Sequence, residues 1–276
     1  MKYKIEKNTV QETLIIPLYA RKVCSELYPN LYRDETAVRL IDEIDYDFSE
    51  AEKNSRGLMQ RFGSLEVAVR QNDLAFEVRD YLKSHPNAAV VNLGCGLDST
   101  GRSCDNGSCK IYNLDFPDVI AVRNELLPAG EREENIPCDL NNTEWFGKID
   151  SSNGAVFFAS GVFYYFLTEQ VKALVQGMAD AFPGGVLVFD AANRTAVKMI
   201  AKTWLKSAKI QDVGAYFAVS DAPQEISAWD SRLQVTSRGY MLGYTDLKDP
   251  SVSGFFRFLA KIGDGMMKMQ IVKINF

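Results

Sequence analysis

The sequence predicts an α/β fold: an open, mostly parallel seven-stranded sheet with helices on both faces and an N-terminal helical addition. Three observations carry this expectation. From residue 88 onward, short apolar runs alternate with segments of helical period, the pattern of strands joined by right-handed crossovers. The first apolar run, residues 88–93, stops abruptly in Gly94-Cys95-Gly96. The second, residues 110–114, ends in Asp115. An apolar strand, a glycine turn and a second strand tipped by an acid are how an open α/β sheet holds an adenosine-containing cofactor.

At 276 residues, 46% of them hydrophobic and 24% charged, the chain can bury a full core without disulfides or metal staples. Residues 1–84 are expected to form a helical segment packed on a catalytic domain of residues 85–276. The net charge of −5, without any long Lys/Arg cluster, argues against a nucleic-acid partner. No apolar run reaches the roughly 18 residues of a membrane span. The N-terminus lacks a signal-peptide pattern, so a cytoplasmic location is expected. Five irregularly spaced cysteines suggest neither a disulfide framework nor a metal site. The single histidine, His85, reads as a helix-end residue, which nearly excludes a His-dependent nucleophilic triad.

Taken in order, residues 8–28 form a helix capped at Asn8 or Thr9 and kinked or restarted by Pro17. Asp34 caps a second helix over residues 34–44. Residues 45–57 read as a polar loop. Residues 58–84 have a long helical period whose apolar face includes Leu65, Val69, Phe76 and Leu82. Strands at 88–93 and 110–114 follow, then a helix opened by Pro117, a short strand at 134–137 and a strong strand at 154–159. Thr168 caps a helix over residues 168–182. Pro183-Gly184-Gly185 turns into a fifth strand at 186–190. Residues 193–207 and 222–229 look helical, and residues 235–243 and 269–275 form a closing antiparallel hairpin.

The glycine pair lets the backbone turn sharply and a ligand approach closely. A dinucleotide fingerprint would place a third glycine at position 99, which is Ser99 here. Asp98 stands where a pyrophosphate would want neutral or positive groups, and it suits a cationic cofactor without phosphate. S-adenosylmethionine is such a cofactor.

The segments VVNLGCGLDS, YNLDFPDVIAVRNELLP, IPCDLNNTEWF and FFASGVFYYFLTEQVKAL, in this order, resemble the leucine carboxyl methyltransferase family. The opening ETLIIPLYARKVCSELYPN and the segment IDYDF extend the likeness toward its bacterial branch, typified by the tetracenomycin polyketide-synthesis methyltransferase. The resemblance covers residues 8–245. It implies a class I methyltransferase Rossmann-like fold and S-adenosyl-L-methionine as cofactor. It further implies that Asp115 accepts hydrogen bonds from the ribose hydroxyls, that Phe116 lies beside the adenosine, and that Asp139, between Cys138 and Leu140, accepts the adenine amino group. Arg70, in AVRQND, matches the family's arginine that pairs with the methionine carboxylate, a fit of fork to carboxylate. Gly94, Cys95 and Gly96 would cradle the cofactor, Asp98 would face its ammonium end, and Ser160 and Gly161 would lie against it. Two positions depart from the family pattern. Ser99-Thr100 replaces a Thr-Arg pair, with Arg102 following later, and Ser160 stands where a glutamate is usual.

Methyl transfer from a sulfonium asks mainly for proximity and alignment. A carboxylate acceptor needs no general base, whereas a phenol does. Tyr164, Tyr165, Asn193, Arg194 and Tyr216 are the acceptor-pocket candidates, with Arg21 and Lys22 behind them. The expectation is an O-methyltransferase acting on a small-molecule acceptor, a carboxylate or phenol of a polyketide-like metabolite. A cofactor-binding protein with weak or no turnover, a protein C-terminal carboxyl methyltransferase and, more remotely, a nicotinamide-dependent oxidoreductase are the alternatives.

Overall fold

A computed structural model describes residues 2–5, 10–200 and 216–276. Its elements run β1 (Tyr3–Lys4), α1 (Val10–Leu27), α2 (Glu35–Glu43), β2 (Ile44–Asp45), α3 (Ser49–Ser55), α4 (Leu58–Ser84), β3 (Ala89–Leu93), α5 (Thr100–Ser103), β4 (Lys110–Asp115), α6 (Pro117–Leu126) and β5 (Glu133–Pro137). They continue with β6 (Ala155–Ala159), α7 (Thr168–Ala181), β7 (Val186–Ala191), α8 (Arg194–Ile200), α9 (Ala222–Ser227), β8 (Gln234–Gly239), α10 (Gly254–Gly265) and β9 (Gln270–Asn275).

The main sheet has seven strands in the order β5-β4-β3-β6-β7-β9-β8. The first five are parallel, while β9 runs antiparallel to both β7 and β8. This is the mostly parallel seven-stranded α/β sheet of class I methyltransferases. Successive residues of a strand point to opposite faces, so a strand covered on both sides reads as a continuous apolar run. In β6, Val156 and Phe158 enter the core beneath α4, while Ala155, Phe157 and Ala159 enter the opposite core with Trp145 and the apolar face of α7. Both cores therefore draw on this one short run, and all five residues of β6 are buried.

Several local expectations are met. Asp34 caps α2, its side chain accepting from the Ala37 N–H. Pro117 occupies the first turn of α6. His85 closes α4 and stacks on Tyr81. The restart expected at Pro17 is not met: α1 runs through that residue as one helix. The caps expected at Asn8 or Thr9, and the continuation of the helix over 201–207, lie outside the described residues.

Other expectations are corrected. Within the expected loop 45–57, Ser49–Ser55 is a helix, and Ile44–Asp45 pairs in parallel with Tyr3–Lys4. Phe76 is not on the buried face of α4. It is exposed and meets Tyr244 edge-on, while Leu65, Val69 and Leu82 are buried. The cap of α7 is Leu167, whose N–H donates to the Gln170 side chain, so Thr168 is the first helical residue rather than the cap. The two closing strands do pair, but α10 stands between them, so they are not a tight hairpin. Among the described residues no helix is long and apolar enough to cross a membrane.

Helix α4 also buries Asp73, whose Oδ2 has no hydrogen-bond partner among the described residues. Burial, helped by the nearby carboxylates of Asp264 and Glu77, pushes its pKa up to about 9. The unfolded chain releases this proton near pH 4 and the native state keeps it until about 9. The native state thus binds more protons in this window, and stability falls as the pH rises through it. Asp73→Asn removes this titration and is expected to raise stability at pH 8 by several kcal/mol, about 1.4 kcal/mol for each pH unit above the unfolded pKa, and to change little at pH 4. Urea denaturation at the two pH values measures this, and equal effects at both would contradict it.

Candidate active site at the carboxyl edge of the sheet

The parallel strands end along one edge, and the expected cofactor residues gather there. Gly94-Cys95-Gly96 follows β3, Asp115 and Phe116 end β4, Cys138–Leu140 follow β5, and Ser160 and Gly161 follow β6. Adjacent strands end in register, Leu93 beside Leu114 and Ala159, and Asp115 beside Pro137.

The glycine turn depends on its backbone. Gly94 and Gly96 have φ of +65° and +46°, in the left-handed region that side chains disfavour. A Cβ on Gly94 would also stand 2.6 Å from Val162 Cγ2. The turn is clamped from behind. Arg123 Nη1 donates to the carbonyls of Gly96 and Asp98, at 2.9 and 2.7 Å. Arg21 donates to the carbonyl of Leu97 and pairs with Asp34, both side chains being buried. With these carbonyls held, the Gly96 N–H is aimed forward and donates to Asp115 Oδ2 at 2.7 Å.

Asp115 is half-buried, and Oδ1 accepts from the Phe116 N–H. Burial raises its pKa, opposed by those two N–H donors. The Phe116 ring is exposed beside it. Asp139 lies on the surface, its Oδ1 accepting from the N–H and the side chain of Asn141. Leu140 is buried in the core. Burial pushes the Cys138 thiol up to about 12 and raises Cys95 as well, so neither is a nucleophile at neutral pH.

The expectation for Asp98 changes. Its carboxylate is buried and accepts from Gln71, Asn92 and both the N–H and the hydroxyl of Thr100. Four donors already satisfy it, so it secures the glycine turn from within rather than facing a ligand.

A second constellation stands where β6 and β7 end. Asp190, fully buried, accepts from the Gly161 N–H at 2.6 Å and from Arg70 Nη1 at 3.0 Å. Burial alone would lower the pKa of Arg70; the Asp190 carboxylate more than offsets this and holds the guanidinium above its ordinary value. Tyr164 is buried against the same carboxylate and, by burial first and Asp190 second, is raised well above the usual phenol range. Among the described residues, Arg70 Nε and Ser160 Oγ are buried without a hydrogen-bond partner. Two polar atoms left unsatisfied at one edge call for a polar ligand. Asp190 was missed in the sequence; its only sign there is an acid closing a buried strand, VFDA.

The acceptor candidates divide. Arg194 and Tyr216 line a cleft of about 360 Å³ with Leu167, Thr168, Val197 and Lys198. Tyr216 is tied to this edge by its N–H, which donates to the carbonyl of Tyr164, and Tyr165 is exposed. Asn193 is instead structural: its Oδ1 accepts from the Ala196 N–H and its Nδ2 donates to the carbonyl of Met266. Tyr164 is sealed in the core and unavailable to an acceptor. Arg21 is buried behind the glycine turn, and Lys22 pairs with Glu26 along α1. Arg102 forms a fork with Glu133. Among the described residues no group of three metal-ligating side chains occurs.

Comparisons with known proteins agree with this architecture. The chain is 28% identical over 183 residues to the tetracenomycin polyketide synthesis O-methyltransferase TcmP of Streptomyces glaucescens. That match covers 66% of each chain, so it spans just under two thirds of the relative's length. It is 25% identical over 258 residues to the S-adenosyl-L-methionine-dependent methyltransferase dpfgK of Gibberella zeae, covering 87% of this chain and 85% of the relative. Two solved structures share the fold. A DUF574 family protein from Streptomyces avermitilis has a TM-score of 0.57 at 10% identity, covering 92% of this chain and 95% of its own. The plantazolicin methyltransferase BpumL, solved with S-adenosylhomocysteine (SAH), has a TM-score of 0.51 at 13% identity, covering 96% and 98%. The family model for leucine carboxyl methyltransferase matches residues 16–179, from the first helix through the seventh, and the chain belongs to that family.

Proposed function

We propose that this chain, a methyltransferase by family, uses S-adenosyl-L-methionine to methylate an oxygen of a small, polyketide-like acceptor carrying a carboxylate or phenol. The observation that carries this reading is the pair of unpartnered buried groups, Arg70 Nε and Ser160 Oγ, across the sheet edge from Asp115 and Phe116. One end offers a carboxylate and an open ring, the needs of a ribose and an adenine. The other offers a guanidinium and a hydroxyl, the needs of an amino-acid carboxylate. The residues present therefore fit the cofactor, which when bound supplies an electrophilic methyl group. Arg70 would hold the methionine carboxylate, with Asp190 fixing the fork. Asp115 would take the ribose hydroxyls, with Asp139 and its neighbours Cys138 and Leu140 at the adenine edge.

The acceptor reading rests on the cleft beside this edge. Arg194 and Lys198 favour an anionic group, and Tyr216, Leu167 and Val197 favour an apolar or aromatic body. The tetracenomycin-synthesis relative adds support for a polyketide-like body.

Calorimetric titration with S-adenosyl-L-methionine tests this. Saturable binding by the wild type is expected, weakened about 10- to 100-fold in Asp115→Ala, the loss of hydrogen bonds to a charged group at about 1.5–3 kcal/mol. A wild type that does not bind would sink the reading. Ser160, where the family carries a glutamate, favours a second reading, a cofactor-binding protein without turnover. Transfer of the methyl group to any aromatic acid in a panel would remove it.

A further inference from the structure

Helix α4 runs against the strand direction, with Arg70 at the carboxyl ends of the strands and Tyr81 near Gly184 at their amino ends. Asp73 follows Arg70 by just under one turn and lies behind the sheet edge. There it forms part of the wall of a cavity of about 190 Å³ between α4, the loop after α1 and the segment after β8. Three aromatic rings, Tyr32, Phe76 and Tyr244, and the apolar side chains of Leu65 and Leu247 form much of the rest. Phe76 is exposed and both tyrosines are half-buried, so the cavity opens to the surface. It shares no wall residue with the cleft of Arg194 and Tyr216, and none of the expected cofactor residues lines it.

The carboxylate in this wall is unlike the others nearby. Asp98, Asp115, Asp190 and Asp264 each accept at least two hydrogen bonds. Asp73 is 3% exposed. Its Oδ2 is sealed without a hydrogen bond, and Oδ1, also without one among the described residues, is not sealed. The charges that act on it, Asp264 from the end of α10 and Glu77 one turn on along α4, have its own sign. Glu77 is already paired with Lys273 and accepts from the Tyr244 hydroxyl at 2.8 Å. The Tyr32 hydroxyl donates to Asp34. Arg238 lies over the Tyr244 ring at 5.2 Å and Lys83 over the Phe76 ring at 6.0 Å, and neither belongs to the cavity wall. Water in the cavity would donate to the carboxylate without offsetting its charge. A cation would offset it, and ring faces attract a cation as well. The apolar wall favours one whose charge is shielded by alkyl groups.

We infer that this cavity is a second ligand site, for a small organic cation bearing an alkylated ammonium, with Asp73 as its counter-ion and the rings of Tyr32, Phe76 and Tyr244 around its alkyl groups. The site stands independently of the methyl-transfer reading. Burial and the two like charges push the Asp73 pKa up to about 9, so below that pH the empty site holds a proton, which an entering cation displaces to water. Tyr32, raised well above the usual phenol range, and Tyr244, raised by burial and by Glu77, stay neutral there. Asp264, raised by burial, is held by the N–H groups of Met241 and Leu242.

The test titrates the full chain with choline, whose charge does not change with pH, and with its neutral isostere 3,3-dimethylbutan-1-ol. At pH 9, choline should bind saturably and about 10- to 100-fold more tightly than the alcohol. Its affinity should rise about tenfold for each pH unit approaching 9 from below and level off above it. Calorimetry in buffers of different ionisation enthalpy should find close to one proton released per choline bound at neutral pH. Asp73→Asn should bring choline down to the affinity of the alcohol and remove the pH dependence. Phe76→Ala should weaken choline about three- to tenfold. Cooperative urea unfolding shows that both variants are folded. A wild type that binds no choline at pH 9, or binds the alcohol as tightly, would overturn the proposal. So would an Asp73→Asn protein with wild-type choline affinity. Mutual exclusion of choline and S-adenosyl-L-methionine would place the cavity in the cofactor site and overturn it too. Choline binding by a chain that binds no S-adenosyl-L-methionine would leave this site standing and remove the methyl-transfer reading alone.

Discussion

Asp190→Ala is expected to destabilise the protein by about 3–5 kcal/mol, because removing one member of a buried ion pair leaves the other uncompensated. Arg70 is 15% exposed and Asp190 is sealed. The substitution also orphans the Gly161 N–H. Asp190→Asn keeps an acceptor for that N–H but not the charge, so it should lose less. The double variant Arg70→Met, Asp190→Ala should recover much of the loss, since neither charge then remains buried alone. Urea denaturation of all three measures the effect. An Asp190→Ala protein within 1 kcal/mol of wild type would show that the pair does not hold the ends of β6 and β7 together.

Gly161→Val is expected to weaken cofactor binding at least 100-fold, about 2.7 kcal/mol, while leaving a cooperatively folded protein. Two independent physical causes act there. Its φ of +71° is a conformation a β-branched residue resists. A Cβ would stand 3.0 Å from Arg70 Nη1 and 3.3 Å from its Cζ, pushing the guanidinium out of place. Gly184→Val separates the two causes. That residue has φ +78° with nothing within 4 Å of a Cβ, so only the backbone strain applies, about 1–3 kcal/mol of stability. Calorimetry of both variants with S-adenosyl-L-methionine checks this. Unchanged affinity in Gly161→Val would remove Arg70 from the cofactor site.

Much of the fold was legible because each signal was local. The central strands β3, β6 and β7 read as apolar runs because every residue in them is buried. The glycine turn and Asp115 were legible because both the turn conformation and the acid at the strand tip are properties of short segments. The helix at Ser49–Ser55 was missed because it is short, polar and carries no apolar period. Phe76 was misplaced because helical spacing alone does not say how wide the covered face of α4 is.

The roles of individual charges depended on distance in space. Asp98 and Asp115 lie 17 residues apart on one turn and strand pair, and both are acids in a plausible ligand position. One is saturated by Gln71, Asn92 and Thr100, and the other faces forward. Asp190 meets Arg70 across 120 residues of chain, and Arg123 reaches back 27 residues to the carbonyl of Gly96. The sequence by itself determined the α/β class, the strand ends along which the expected cofactor residues gather and the methyltransferase family. Those follow from periodicity, from glycine and from the order of short motifs. Only the tertiary structure decided which carboxylates are already satisfied and which are left open. Satisfaction of a buried charge is set by the donors that packing brings to it, and those donors come from distant parts of the chain.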